Sequence, residues 1–379
     1  MLKKPVALLL ALLLANAGVP AAQAREYPDL ALDCRAALLM EYESGEVLYA
    51  RAERERLPMA SVTKIMSVLL VVEALEAGEI SLDDTVTASA HASSMGGSQI
   101  YLRENEQMPL RDMLKSVIVA SANDACVALG EHVAGSEDEF VARMNRRAAE
   151  LGMTDTNFIN CTGLDAEGHF SSACDIALMS RELLGHGLIY DYTTIWTDSV
   201  REGEFGLTNT NKLIRFYQGA NGLKTGSTDG AKYCVSAAAK RDGMQLIAVV
   251  LGSSSGTARF EAAKTMLNYG FANFKLLPLE KPALPEVPVR NGVKERIAVD
   301  TVIPENLLVE KSFSKQPECS VELPEYLEAP VEAGDAIGSV TWSAGGDSVY
   351  SADVYAAETA EERSYGFCLL ELLKRFIMI

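Results

Sequence analysis

Apolar residues along this chain fall into runs of different period, and the period predicts the element. Ala60 to Leu75 is apolar on nearly every side, with Pro58 just upstream and Gly78 just downstream, the pattern of a helix buried all round. Met113 to Ala120 is a second apolar stretch, and Asp124 to Leu129 reads as the start of the next helix. Tyr233 to Ala239 and Gln245 to Gly252 are apolar runs of strand length, with Arg241-Asp242-Gly243 between them as a hairpin signal. Residues 277–289 carry four prolines and read as a semi-extended linker. Beyond it the pattern turns to short strands: Arg296 to Val299, then Gly338 to Trp342 and Ser348 to Ser351 around a Gly345-Gly346-Asp347 loop.

The two ends carry apolar segments of their own. Lys3-Lys4, an apolar run from Val6 to about Ala15, and Ala22-Gln23-Ala24 form the charged, apolar and small-residue parts of a secretory signal over residues 1–24. The run is too short to span a bilayer, and the mature chain is expected to begin near Arg25. The last fifteen residues, Tyr365 to Ile379, would extend only about 22 Å as a helix, short of a ~30 Å hydrocarbon core. Glu371, Lys374 and Arg375 share one face, which suits a helix lying in a membrane surface; packing on the preceding β-rich region is the alternative.

Charge and cysteine usage narrow the class. The formal charge is −18, becoming −20 if Lys3 and Lys4 are removed, which argues against nucleic acid as a partner. Seven cysteines include no C-x-x-C, and an odd number in an exported chain leaves a thiol free. Cys126 and Cys234 lie in apolar runs and read as small buried residues, whereas a Cys161–Cys174 pairing stays open. The four histidines lack metal-ligand spacing, so no metal and no cofactor are expected.

Three short motifs carry the chemistry: Ser61-Val62-Thr63-Lys64, Ser121-Ala122-Asn123 and Lys224-Thr225-Gly226. Each has an ordinary reading alone: a capped helix with a snorkelling lysine, a Ser/Asn cap, a solvated lysine on a strand end. Their order and gaps of 60 and 103 residues make the set specific. Residues three apart on a helix share a face, which puts the Lys64 ammonium beside the Ser61 hydroxyl near a helix N-terminus. A buried lysine near other cations can lose its proton close to neutral pH and act as base. Ser121 and Asn123, at a break between helices, can both point into one cleft. A K-T-G on an edge strand offers an ammonium, a hydroxyl and a glycine that lets a ligand approach the backbone.

Together these residues resemble the D-alanyl-D-alanine carboxypeptidases of the low-molecular-mass penicillin-binding proteins, serine peptidase family S11. The likeness extends to Gly45 to Tyr49, Asp124-Ala125, Asn157-Phe158, Thr162-Gly163-Leu164, Leu246 to Gly252 and Arg259-Phe260. The resemblance implies Ser61 as nucleophile, Lys64 as its general base and Ser121 as proton relay to the departing D-Ala. It implies that Asn123 holds the peptide, Lys224 polarises Ser121, and Thr225 with Arg259 binds the terminal carboxylate. The backbone N–H groups of Ser61 and Ser227 would form the oxyanion hole, with Gly226 between. Met59 stands where the family often has Pro, and Ser227 where some members have His.

The resemblance implies an α/β (α+β) fold: a β-lactamase/transpeptidase-like domain with an antiparallel sheet flanked by helices, then a small all-β domain. The expected divisions are a catalytic domain over 25–276, the linker over 277–289, a β-rich domain over 290–357 and a membrane-associating segment over 358–379. The expected partners are the peptidoglycan pentapeptide stem, β-lactam antibiotics as acylating inhibitors, and a membrane surface. A class A β-lactamase is the sibling reading; its deacylating carboxylate would have to come from Glu167 in Asp165-Ala166-Glu167-Gly168-His169. A non-catalytic wall-binding protein that has kept the cleft is the other.

Overall fold

The computed structural model describes residues 27–377; the expected signal segment lies outside the described residues. Five strands form one antiparallel sheet: β1 (Ala36–Glu41), β2 (Val47–Arg51), β3 (Ala220–Thr228), β4 (Lys232–Arg241) and β5 (Met244–Ser253), in the spatial order 2-1-5-4-3. The inner strands are apolar on both faces because both faces are covered. On one side Ala37, Leu39, Leu246, Ala248 and Val250 meet Phe260, Met266 and Leu267 of a long helix over Gly256–Asn273. On the other, Ala36, Leu38, Ile247 and Val249 meet a bundle of helices.

That bundle comprises α1 (Lys64–Glu76), α2 (Leu110–Val119), α3 (Asn123–Ala134), α4 (Glu137–Glu150) and α5 (Ala173–Leu184); the long helix on the opposite face is α6. The apolar run expected as one helix from Ala60 begins instead as a 3₁₀ turn, Ala60–Thr63, and becomes α-helical at Lys64. Nine of the thirteen α1 residues are buried, so α1 is the axis around which the other helices pack. Phe140 of α4 is fully buried and lies against Gly130 of α3, where a Cβ would come within 2.8 Å of the ring.

The hairpin turns expected from glycine placement are present. Asp242 and Gly243 both take positive φ (49° and 84°) between β4 and β5, as do Gly345 (64°) and Gly346 (94°) in the second region. The Pro-rich stretch is more ordered than a free linker. A strand over Phe274–Pro278 continues out of α6 and pairs with Asn306–Glu310, and Leu279 packs on Val340, Trp342 and Val354. From Leu279 to the terminal helix the regular elements are all β, including a four-stranded antiparallel sheet built on the Ala336–Ala344 and Asp347–Ala356 hairpin. The short strand expected over Arg296 to Val299 is split: Arg296–Ile297 joins one sheet and Val299–Thr301 another.

The terminal helix, α7 (Tyr365–Ile377), is not packed on this region. Tyr365 is 98% exposed and Phe376 77%, and Leu369, Leu370, Leu372 and Leu373 are each at least half exposed. No helix among the described residues is long and apolar enough to cross a membrane.

Replacing the buried ring at the α3–α4 contact should open a cavity that the crowded helix pair cannot close. Phe140→Ala is expected to lower unfolding stability by about 3–5 kcal/mol in a denaturant titration of the full chain.

Candidate active site

The 3₁₀ turn, the α2–α3 junction, the loop over 157–170 and the edge strand β3 meet at Ser61. The turn is held tightly from two sides. Gly163 (φ +85°) lies so close to the Ala60 carbonyl that a Cβ there would come within 1.9 Å of it. Gly226 of β3 lies on the other side, where a Cβ would stand 2.7 Å from the Met59 carbonyl and 2.8 Å from the Ser61 nitrogen. The K-T-G glycine thus brings β3 against the backbone of the nucleophile turn.

Lys64 is fully buried, and its Nζ has three partners: Asn123 Oδ1 at 2.6 Å, the Thr162 carbonyl at 2.6 Å and Ser61 Oγ at 3.0 Å. Burial lowers its pKa from 10.5 to about 8, partly opposed by Cys126, Cys161 and Asp124. Two of the three partners are oxygens that only accept. A neutral amine satisfies both with its two N–H groups and turns its lone pair to the third, the Ser61 hydroxyl.

Ser121 is buried at the α2–α3 break with φ +64°, a strained position for a residue with a side chain. Asn123 opens α3, and besides Lys64 its amide donates to the Gly96 carbonyl at 2.7 Å. Lys224 is buried, and desolvation, Lys64 and Arg259 hold its pKa well below the usual lysine value. Its Nζ donates to the Thr225 carbonyl at 3.2 Å; the contact to Ser121 that its expected role would use is not formed among the described residues. Thr225 Oγ1 donates to Thr210 Oγ1 at 2.8 Å, and Ser227 is exposed at the mouth of the cleft. Arg259, in the first turn of α6, donates through Nη1 to the Gly226 carbonyl at 2.9 Å and to the Cys234 carbonyl at 3.3 Å. Its buried Nε has no partner among the described residues.

The site residues named from the sequence therefore assemble around one cleft, but the motif reading missed the residues that hold them there. Asp124 accepts from the backbone of Ile100 and Leu102, pinning the segment that also receives Asn123. Asn160 Oδ1 accepts from the N–H groups of Thr162 and Gly163 and fixes the loop whose carbonyl grips Lys64. Asp165 ties that loop to the end of β3 through Thr228 Oγ1 at 2.6 Å and Gly230 N–H at 3.2 Å. His169 accepts from Ile159 N–H at Nδ1, so its neutral ring donates from Nε2 to Thr63 Oγ1 at 2.8 Å; burial lowers its pKa to about 4. A polar residue within or beside an apolar or motif segment was the one available signal for these. Glu167 is exposed and makes no hydrogen bond to Ser61 or Lys64.

Outside the cleft, Glu73, Glu182 and His186 bring three ligand-type atoms within 4.8 Å of one another. Arg147 already spans this group, donating to Glu73 at 2.8 Å and to Glu182 at 2.5 Å.

Known proteins are similar to this chain along nearly its whole length. Residues 21–255 match the family model for D-alanyl-D-alanine carboxypeptidase, and residues 271–362 match that for the penicillin-binding protein 5 C-terminal domain. The D-alanyl-D-alanine carboxypeptidase DacF of Bacillus subtilis is 40% identical over 343 residues, covering 89% of this chain and 88% of the relative. DacC of Escherichia coli is 34% identical, covering 93% and 90%. The crystal structure of penicillin-binding protein 5 from Haemophilus influenzae superposes with a TM-score of 0.80 at 30% identity, covering 89% of this chain and all of that one. Identity at this level, sustained through both the helix-flanked sheet and the β-rich region, means that the chain belongs to the D-alanyl-D-alanine carboxypeptidase family of serine peptidases.

Proposed function

We propose that this chain removes the terminal D-alanine from peptidoglycan pentapeptide stems through an acyl-enzyme on Ser61, and that penicillin acylates the same serine. The observation that carries the reading is the Lys64 amine, buried, with two obligate acceptors and its third direction toward Ser61 Oγ at 3.0 Å. Ser61 Oγ attacks the carbonyl carbon of the penultimate D-Ala as its proton passes to Lys64 Nζ. The oxyanion that forms is met by the Ser61 and Ser227 N–H groups, at the place where β3 abuts the nucleophile turn. The C–N bond then breaks as Ser121 relays the proton from Lys64 to the leaving D-Ala nitrogen; Lys224 would polarise Ser121 by turning to it from the Thr225 carbonyl. Water next attacks the acyl carbonyl as Lys64 again takes the proton; the bond to Ser61 Oγ breaks and Lys64 returns the proton to that oxygen.

Asn123 would hold the stem peptide, and Thr225 and Arg259 the terminal carboxylate. The Arg259 guanidinium, fastened by one edge to the Gly226 carbonyl and with Nε unpartnered, supports that role. The exposed Glu167 weighs against a β-lactamase, which needs a carboxylate on the deacylating water. The catalytic machinery would occupy 25–276, the β-rich domain 290–357, and a signal over 1–24 would deliver the chain across the cytoplasmic membrane. The exposed apolar side chains of α7 support peripheral attachment of residues 358–379 to the outer face of that membrane.

The mechanism sets the outcome of mixing the protein with benzylpenicillin and tracking intact mass. Wild type should gain one adduct that persists for many minutes, and Ser61→Ala should gain none. Rapid loss of the adduct with turnover of the drug would mean a β-lactamase, and no adduct on wild type would remove Ser61 as nucleophile. Because only neutral Lys64 accepts the proton, acylation should slow about tenfold per pH unit below its pKa of about 8 and level off above it. A profile already flat at pH 6 would assign the base to another group. Deleting residues 365–379 should move the protein from the vesicle fraction to the supernatant when anionic liposomes are floated; retention on the liposomes would locate the anchor elsewhere.

A further inference from the structure

Two thiols lie directly behind the catalytic lysine and take no part in the reaction. Cys126 and Cys161 are both buried, at 1% and 0% exposure, and their sulfurs are 4.0 Å apart. Both are free in this structure, and they are the cysteine pair in sulfur contact among the described residues. The Cys126 S–H also reaches the Cys161 carbonyl at 3.3 Å.

Their positions in the chain matter more than the distance. Cys126 sits on α3 almost one turn after Asn123, and Cys161 immediately precedes Thr162. Asn123 and Thr162 supply the two carbonyl oxygens that grip Lys64, each at 2.6 Å. The thiol pair therefore bridges, one layer back, the same two elements that hold the lysine from opposite sides. Ser67 Oγ of α1 also donates to the Cys161 carbonyl at 2.6 Å, so that carbonyl keeps a partner if the S–H donor is lost.

We propose that Cys126 and Cys161 are a disulfide site, closed when the chain folds in an oxidising compartment, and that the bond fastens the two elements gripping Lys64. A disulfide bond is about 2.05 Å long, so the 4.0 Å between the sulfurs must shorten by roughly 2 Å. The oxidant is of the disulfide class, either glutathione disulfide or a protein disulfide. Cys126 thiolate attacks one oxidant sulfur, forms a mixed disulfide and expels the other as a thiolate. Cys161 thiolate then attacks Cys126 Sγ, forms the internal bond and expels the second oxidant thiolate. Two electrons pass to the oxidant, and the two cysteine protons end on the released thiols. Burial of both sulfurs excludes oxidant from the folded core, so the bond closes during folding.

The test is made in vitro and so does not depend on the proposed export. The full chain, purified in detergent, is denatured and reduced, then refolded with and without a glutathione redox couple; free thiols are alkylated and peptides weighed. The oxidised sample should be 2 Da lighter before alkylation, with Cys126 and Cys161 peptides joined and the other five cysteines alkylated. Its thermal midpoint should exceed that of the reduced sample by about 5 °C or more, and penicillin acylation should survive to a correspondingly higher temperature. Cys161→Ala and Cys126→Ala should each abolish the joined peptide. If a variant fails to fold, reductant added to oxidised wild type should still lower the midpoint. Alkylation of both thiols after oxidative refolding overturns the proposal, as does a link to another cysteine or a midpoint unmoved by the bond.

Discussion

The burial of one ammonium group sets the terms for the rest of the site. Lys64 has no solvent around it, so its polar atom must be satisfied by the protein, and an unpaired charge there would be costly. The chain answers with two carbonyl oxygens from different elements, the Asn123 side chain on α3 and the Thr162 backbone in the loop over 157–170. The same burial that demands those partners also destabilises the charged form and brings the amine toward neutrality. Structure and protonation therefore have one cause: a lysine dry enough to need two acceptors is also one whose charged form is disfavoured.

Holding those acceptors explains features that have no chemistry of their own. The loop carrying Thr162 is fixed by Asn160 within itself, by Asp165 to the end of β3, and by His169 to Thr63. Gly163 and Gly226 then press the nucleophile turn from opposite sides at distances that no side chain tolerates. The neutral state of His169 belongs to this scaffold, since a charged ring could not accept from the Ile159 N–H. Arg259 reaches the cleft from α6, on the far face of the sheet, along the edge of β3 and β4. Both layers of the domain therefore meet at the site, although only one contains the nucleophile.

The β-rich region is joined by more than a tether. The strand over Phe274–Pro278 runs straight out of α6 and pairs with Asn306–Glu310, and Leu279 enters the core of the second region. The helix at the far end is apolar and exposed at Leu369, Leu370, Leu372, Leu373 and Phe376, with no surface among the described residues covering it. A helix of thirteen residues reaches about 20 Å, short of the ~30 Å hydrocarbon core of a bilayer.

The sequence by itself determined several of the elements and named the candidate site residues. Apolar runs give β4, β5 and α1, Asp242-Gly243 and Gly345-Gly346 give the hairpin turns, and three motifs name Ser61, Lys64, Ser121, Asn123 and Lys224. These are local properties, readable from residue type and spacing. The helix that the apolar run predicts from Ala60 opens instead as a 3₁₀ turn, packed against Gly226 and Gly163, which lie far away in sequence. Residues 277–289 read as a semi-extended linker because prolines say how a chain is disposed and not what its strands will pair with. Only the tertiary structure decided that Thr162 completes the lysine grip, that Asp124 and Asp165 hold its neighbours, and that Cys126 meets Cys161. Each depends on a backbone group or on residues tens of positions apart, and neither leaves a periodic trace along the chain.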